Sequence, residues 1–169
     1  YEKPPLNGVR IARKIGMASY RSASEWAQRF GRKKSSNNKL TQNTFGIENT
    51  SFEYEIESYL EHQAIKFQNI FDANCYLYLS RAMDWFDIAD HGKSTLDALS
   101  KTNIKNALVL GVSTDILFPL QQQKEIAESL TLANTKVEYK QLNCIQGHDS
   151  FLVDIPTFAN DIKAFISRL

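Results

Sequence analysis

The chain has 169 residues, a net charge of +1, 43% apolar residues and 23% charged ones, which is the length and composition of one ordinary globular domain. So even a charge balance argues against a nucleic-acid-binding surface or an acidic tail, and no apolar run nears the roughly 20 residues that span a bilayer. Cys75 and Cys144 lack metal-ligand spacing and read as reduced thiols of a cytosol-like compartment, and three isolated histidines do not suggest a metal cluster.

Residues 1–5 are extended, because each proline biases its predecessor away from helix. Asn7 is the expected cap of a helix running to about Ser19, with Val9, Ala12, Ile15 and Gly16 near one face. Tyr20-Arg21-Ser22 interrupts it. Ser22 then caps a second helix, with Glu25 completing a capping box, and that helix carries Trp26, Ala27 and Phe30 before it ends at Gly31. Residues 33–51 are polar, basic and aperiodic and read as a surface loop.

A long helical pattern follows, from Phe52 to Phe71 with Ser51 as its cap. Tyr54, Ile56, Tyr59, Leu60, Gln63, Ile65 and Phe67 make its apolar side, and Glu53, Glu55, Glu57 and Glu61 face solvent or the helix start. Asp72 caps the next helix, Ala73 to about Phe86, which is aromatic and almost uncharged. Two such helices in sequence suggest an αα-hairpin set above a sheet, within a helical region over 52–100. Their apolar surface must meet something, the main domain or another subunit, and core packing is expected of any single aromatic there. A linker with a short helix, Ser94–Leu99, leads to the last portion, 101–169.

That portion alternates. Ala107–Val112 is an apolar strand, Leu120–Leu132 a helix opened by Phe118-Pro119, and Val137–Leu142 a second strand. Gln121 and Lys124 face out of the helix, and Ile126 and Leu130 face in. The final helix starts at Pro156 and runs to about Leu169, with Phe158, Ile162, Phe165 and Ile166 inward. Strand, helix, strand, helix at this spacing implies a right-handed crossover and a parallel sheet, an α/β fold.

The chemistry sits just past the two strands. Ser113-Thr114-Asp115 follows the first, and Gly147-His148-Asp149 the second. Loops at one edge of a parallel sheet can hold an acid and a histidine as a proton relay. The plainer readings are a helix cap for Asp115, a backbone-bonded loop histidine for His148, and a cap or salt bridge for Asp149. None of the fourteen serines stands in a Gly-x-Ser-x-Gly turn; Gly111-Val112-Ser113-Thr114-Asp115 fails at its last position. Chain order in hydrolase-type triads is serine, acid, histidine. A nucleophile is therefore expected upstream of Tyr1, and the chain is expected to be the C-terminal part of a larger enzyme, poorly stable by itself because its sheet lacks strands.

Val112-Ser113-Thr114-Asp115-Ile116-Leu117-Phe118-Pro119 resembles the acid motif of the homoserine O-acetyltransferases, members of the α/β-hydrolase superfamily, and Gly147-His148-Asp149-Ser150-Phe151-Leu152 resembles their histidine motif. Tyr59-Leu60-Glu61-His62-Gln63, Lys66-Phe67, Phe71-Asp72-Ala73-Asn74-Cys75-Tyr76-Leu77 and Arg81-Ala82-Met83-Asp84 look like the family's helical lid. Ala12-Arg13-Lys14-Ile15-Gly16, Tyr20-Arg21-Ser22 and Phe30-Gly31-Arg32 look like the start of that region, residues 1–32. The likeness covers nearly the whole chain outside the 33–51 loop.

The resemblance implies the C-terminal part of an α/β-hydrolase fold with an inserted lid, and ping-pong transfer of an acetyl group from acetyl-CoA to the hydroxyl of homoserine through an acyl-serine. It implies Asp115 as the triad acid, His148 as the general base and Asp149 as the residue that holds the substrate's ammonium group. It implies no permanently bound cofactor and no metal, with acetyl-CoA (or succinyl-CoA) as donor substrate, and a cytoplasmic homodimer formed through the lid helices. The alternatives are a serine O-acyltransferase (acetyl or succinyl), an ester hydrolase, which an aromatic lid disfavours by restricting water, and a non-catalytic hydrolase-fold module acting in dimerisation.

Overall fold

The computed structural model describes residues 3–35, 53–68 and 70–169. The expected Ser51 cap, the helix start at Phe52 and most of the 33–51 loop lie outside them. Two compact units are formed, one from Tyr1–Ala18 with Trp26–Leu79, the other from Ser19–Glu25 with Ser80–Leu169. No helix among the described residues is long and apolar enough to cross a membrane.

In the first unit, helix α1 (Leu6–Tyr20) starts two residues earlier than Asn7 as its cap suggests. Pro4 and Pro5 already supply the turn, their carbonyls accepting from the Leu6 and Val9 amides at 2.8 and 3.1 Å. Met17 is buried, and Val9, Ala12 and Gly16 are half-buried. Ile15 is exposed instead. At 3.6 residues per turn it lies about 240° around from Val9, so it cannot share that face. Helix α2 (Ala23–Arg29) is closed by Gly31 at φ +51, in the left-handed region that glycine tolerates. Trp26, Phe30 and Tyr59 form an aromatic cluster, with the Arg29 guanidinium 4.9 and 4.8 Å from the Phe30 and Tyr59 rings.

Helix α3 (Glu55–Gln68) is capped from inside, Glu57 Oε2 accepting from the Glu53 and Tyr54 amides at 2.8 and 2.9 Å. Its inward stripe is centred on Glu61 and Ala64, both buried, and not on Ile65, which is exposed. The expectation that Glu61 faces solvent fails because a buried carboxylate is stable once paired: Arg10 and Lys14 of α1 both contact it. Phe67 and Phe71 stack, and Tyr76 meets both edge-on, at the junction with helix α4 (Ala73–Asp84), and Asp72 Oδ1 caps that helix by accepting from the Asn74 and Cys75 amides. Helix α4 stops at Asp84, two residues short of Phe86. It holds no buried residue: Leu77, Tyr78, Leu79 and Met83 are exposed, as are Trp85 and Phe86 beyond its end. Of the aromatics in this stretch, Tyr76 alone turns toward Phe67 and Phe71.

The second unit carries the sheet. A 3₁₀ turn, Ile88–His91, is capped by Asp87, and helix α5 (Thr95–Ser100) by Ser94, whose Oγ accepts from the Asp97 amide at 3.2 Å. Strands β1 (Asn106–Val112) and β2 (Lys136–Leu142) run parallel, in register from Asn106 opposite Lys136 to Val112 opposite Leu142. Helix α6 (Leu120–Leu132) makes the crossover and packs on both strands, with α5 against it. The period of two divides the core between the sheet's faces. Val109, with Val137 and Tyr139, meets Ala127 and Leu130 on one face, while Val112, Leu142 and Cys144 gather with Leu110 and Phe158 on the other. A side chain on Gly111 would strike Leu120 at 2.8 Å, so the bare backbone lets α6 approach. Ile126, expected inward, is exposed, because the stripe that meets the sheet is Gln123, Ala127, Leu130 and Ile126 only flanks it.

Helices α7 (Ser150–Val153) and α8 (Ile155–Ile166) complete the unit. The last helix ends three residues before Leu169. Phe158 and Phe165 are half-buried, whereas Ile162 and Ile166 flank them and are exposed.

Cys75 is exposed and Cys144 is buried beside Asp154, its Sγ 3.5 Å from Oδ2. Burial, then that carboxylate, pushes the Cys144 thiol up. Iodoacetamide at about pH 8 is expected to label Cys75 and to spare Cys144 until the protein is unfolded, as read by peptide mapping. Equal labelling of both in the folded state would contradict the packing of β2's end.

Candidate active site

Both predicted loops are built by short polar contacts at the C-terminal ends of β1 and β2, within the second unit. The β1 loop turns at once: the Ser113 amide still donates to Leu142 O at 2.9 Å, and the Asp115 amide donates back to Val112 O. Asp115 Oδ1 then accepts from the Leu117 and Phe118 amides at 2.9 and 3.0 Å. The plain reading of this residue as a cap of the following helix fails, since α6 starts only at Leu120, after Pro119, without a side-chain cap; Asp115 Oδ1 closes a turn within the loop instead. The other oxygen, Oδ2, lies 3.0 Å from His148 Nδ1. The side chains of Asp115 and His148 are 10% and 23% exposed, so most of the contact is shielded from water.

His148 stands in a 3₁₀ turn, Gly147–Asp149. Gly147 has φ +69, and a Cβ there would meet Tyr20 O and the Ser22 amide nitrogen at 2.9 Å. Only glycine fits so tight a passage without shifting backbone. The Thr114 hydroxyl joins the two loops, donating to Cys144 O at 2.7 Å and accepting from the Gly147 amide at 3.1 Å. Ser150, wholly buried, donates its Oγ hydrogen to Gly147 O at 2.7 Å. These contacts fix where the imidazole emerges. Three rings border it: Phe118 edge-on at 4.9 Å, Tyr20 at 5.6 Å and Phe151 at 6.2 Å between centroids. Beside it opens a cleft of about 350 Å³, lined by Leu110, Val112, Phe118, Phe151 and Phe158 together with Asp115 and His148.

A carboxylate only accepts hydrogen bonds, so the Asp115 contact keeps the proton on Nδ1 and makes Nε2 the basic nitrogen. That is the arrangement a general base needs. Asp149 does not join the pair. Its Oδ2 lies 2.9 Å from Arg21 Nε, and Arg21 Nη1 donates to Glu25 Oε1 at 2.8 Å. Thr114, Tyr20 and Arg21 are missed by reading the chain alone, the last two because they lie far from His148 in sequence. The one available signal was the Tyr20-Arg21-Ser22 break between helices. Ser22 acts as expected on its own helix, accepting from the Glu25 amide at 3.1 Å, and it also donates to Ile145 O in the histidine loop.

No protein-family model matches the chain. Its sequence is similar to serine O-succinyltransferases: 47% identical to that of Xylella fastidiosa and 46% to that of Frateuria aurantia, each over 98% of this chain and 44% of the relative. The chain thus spans less than half the length of the relatives it matches. Among solved structures, homoserine O-acetyltransferase from Bacillus anthracis superposes with a TM-score of 0.77 at 21% identity, over 97% of this chain and 42% of that one. An esterase superposes at 0.75 and 23% identity, over 97% and 43%.

Replacing Gly147 with Ala is expected to destabilise the fold by about 1–3 kcal/mol, through its left-handed backbone and the contact with the Tyr20–Ser22 backbone. Thermal or denaturant unfolding measures this, and an unchanged midpoint would show that the loop has another packing.

Proposed function

Because the chain belongs to the family of homoserine and serine O-acyltransferases and has the fold of the C-terminal portion of an α/β hydrolase, we propose that Asp115 and His148 are the acid and general base of an acyl transfer to an amino-acid hydroxyl. The observation that carries this reading is the 3.0 Å contact between Asp115 Oδ2 and His148 Nδ1, with the second carboxylate oxygen anchored by two backbone amides. In this reading the nucleophile is a serine outside these 169 residues, supplied by the rest of the protein.

The chemistry runs in two halves. His148 Nε2 takes the proton from the serine hydroxyl as its oxygen attacks the thioester carbonyl of an acyl-CoA. The carbon–sulfur bond breaks, and the departing thiolate receives that proton from Nε2. In the second half Nε2 takes the proton of the acceptor hydroxyl, whose oxygen attacks the acyl-serine; the serine oxygen leaves and is reprotonated from Nε2. Asp115 keeps the imidazole in one tautomer and stabilises the imidazolium formed in each half. Asp149 is the group proposed to meet the ammonium of the amino acid. Acyl transfer is preferred to hydrolysis in this reading because Tyr20, Phe118 and Phe151 border His148 and would restrict water there once the rest of the site closes on it.

For the substrates, succinyl-CoA and serine come first, because the relatives at 46% and 47% identity carry the name serine O-succinyltransferase. Acetyl-CoA and homoserine are the second pairing, supported by the sequence motifs and by the name of the more distant structural neighbour. The exposed apolar residues Leu77, Leu79 and Met83 of α4 support a homodimer formed through this helix.

Two measurements test the reading on the complete protein. Single-turnover thiol release from succinyl-CoA or acetyl-CoA, with serine and homoserine offered separately, is expected to show acceptor-dependent turnover with serine. A response to homoserine alone would move the protein to the second pairing, and none with any pairing would overturn the assignment. Replacing Asp115 with Asn is expected to lower turnover by on the order of 10⁴ while the fold is kept; retained turnover would remove Asp115 from the relay.

A further inference from the structure

The break between α1 and α2 does more than change the chain's direction. Tyr20, Arg21 and Ser22 each reach the histidine loop: a ring against His148, a guanidinium against Asp149, and a hydroxyl donating to Ile145 O. Arg21 is the charged member. Its side chain is 12% exposed, and those of Glu25 and Asp149 are 7% and 16%, so the three sit largely out of water. Glu25, one turn along α2, takes one arm of the guanidinium and so fixes the plane whose Nε lies 2.9 Å from Asp149 Oδ2. A planar fork held at one end presents its other end in a single direction, which a lysine's point charge cannot do.

Resting on the reading that Asp149 receives the acceptor's ammonium, the geometry points to Arg21 as the positioning residue of that subsite. Arg21 holds the Asp149 carboxylate by one oxygen and in one rotamer, so that it presents a preorganised acceptor to the ammonium group of the amino acid. Two opposing effects follow from its charge. The guanidinium repels an incoming ammonium, but its loss removes the 2.9 Å contact that holds Asp149 Oδ2 and lets that carboxylate swing away. The second effect is the larger because it removes the recognising group itself.

The role is specific to one half of the reaction. His148 serves both halves, whereas Asp149 meets only the amino acid. Arg21→Gln and Arg21→Lys are therefore made in the complete protein, with a thermal melt for each. Thiol release from acyl-CoA without acceptor reports the first half, and KM for the amino acid reports the second. Arg21→Gln is expected to leave thiol release within about twofold of the parent and to raise the acceptor KM about tenfold or more, with Arg21→Lys in between. A parallel fall in both halves, in Lys as well as Gln, would overturn the proposal and make Arg21 a general clamp of the histidine loop. An unchanged acceptor KM in a folded Arg21→Lys or Arg21→Gln protein would overturn it too. Asp149→Asn separates the two levels of inference: if it leaves the acceptor KM unchanged, the role of Asp149 itself falls, whereas a raised KM in Asp149→Asn with none in Arg21→Gln removes Arg21 alone.

Discussion

The parallel register of β1 and β2 sets the distance on which the candidate site depends. Val112 stands opposite Leu142, so the chain leaves both strands at the same level. From there Asp115 needs three residues to reach its place and His148 needs six. A slip of one residue would reverse every inward side chain of the shifted strand and break the contact as well as the core. Packing and chemistry are thus coupled. The residues that lock the register, Val109 against Ala127 and Leu130, and Val112 beside Leu142, also hold the Asp115–His148 pair.

Strands alone do not fix a side chain to a few tenths of an ångström. That precision comes from local hydrogen bonds with high stakes, because the groups are shielded and would be costly to leave unpaired. Thr114 spans the two loops, Asp115 is held by two amides, and Ser150 closes the turn that carries His148. Gly147 is the point where these meet the Tyr20–Ser22 backbone, and its missing Cβ is what allows the approach. Charge enters one step further out, where Arg21 joins Glu25 and Asp149.

Two units divide charge and hydrophobicity in different ways. The first holds a carboxylate inside, Glu61 between Arg10 and Lys14, where a pattern of apolar residues alone would have placed an aliphatic stripe. The second keeps the core around its sheet apolar and buries its own carboxylate, Glu25, beside Arg21 and the histidine loop. The exposed residues of α4, Leu77, Tyr78 and Met83, belong to neither arrangement.

The chain's order of residues by itself determined the strand–helix–strand run, because period and length are local properties: Leu120–Leu132 and the two strands fall where periodicity puts them. It also marked Asp115 and His148, since an acid and a histidine just past successive apolar strands make a compact signal. Tertiary structure decided the rest. Whether Ile65 or Ile126 turned inward depended on which neighbour came to meet the helix, and periodicity cannot count neighbours. Burial of Glu61 required two cations from another helix. Arg21 and Thr114 acquired their places only when distant segments closed on the histidine loop, and no spacing along the chain encodes such a meeting, because it is the whole packed core that brings those segments together.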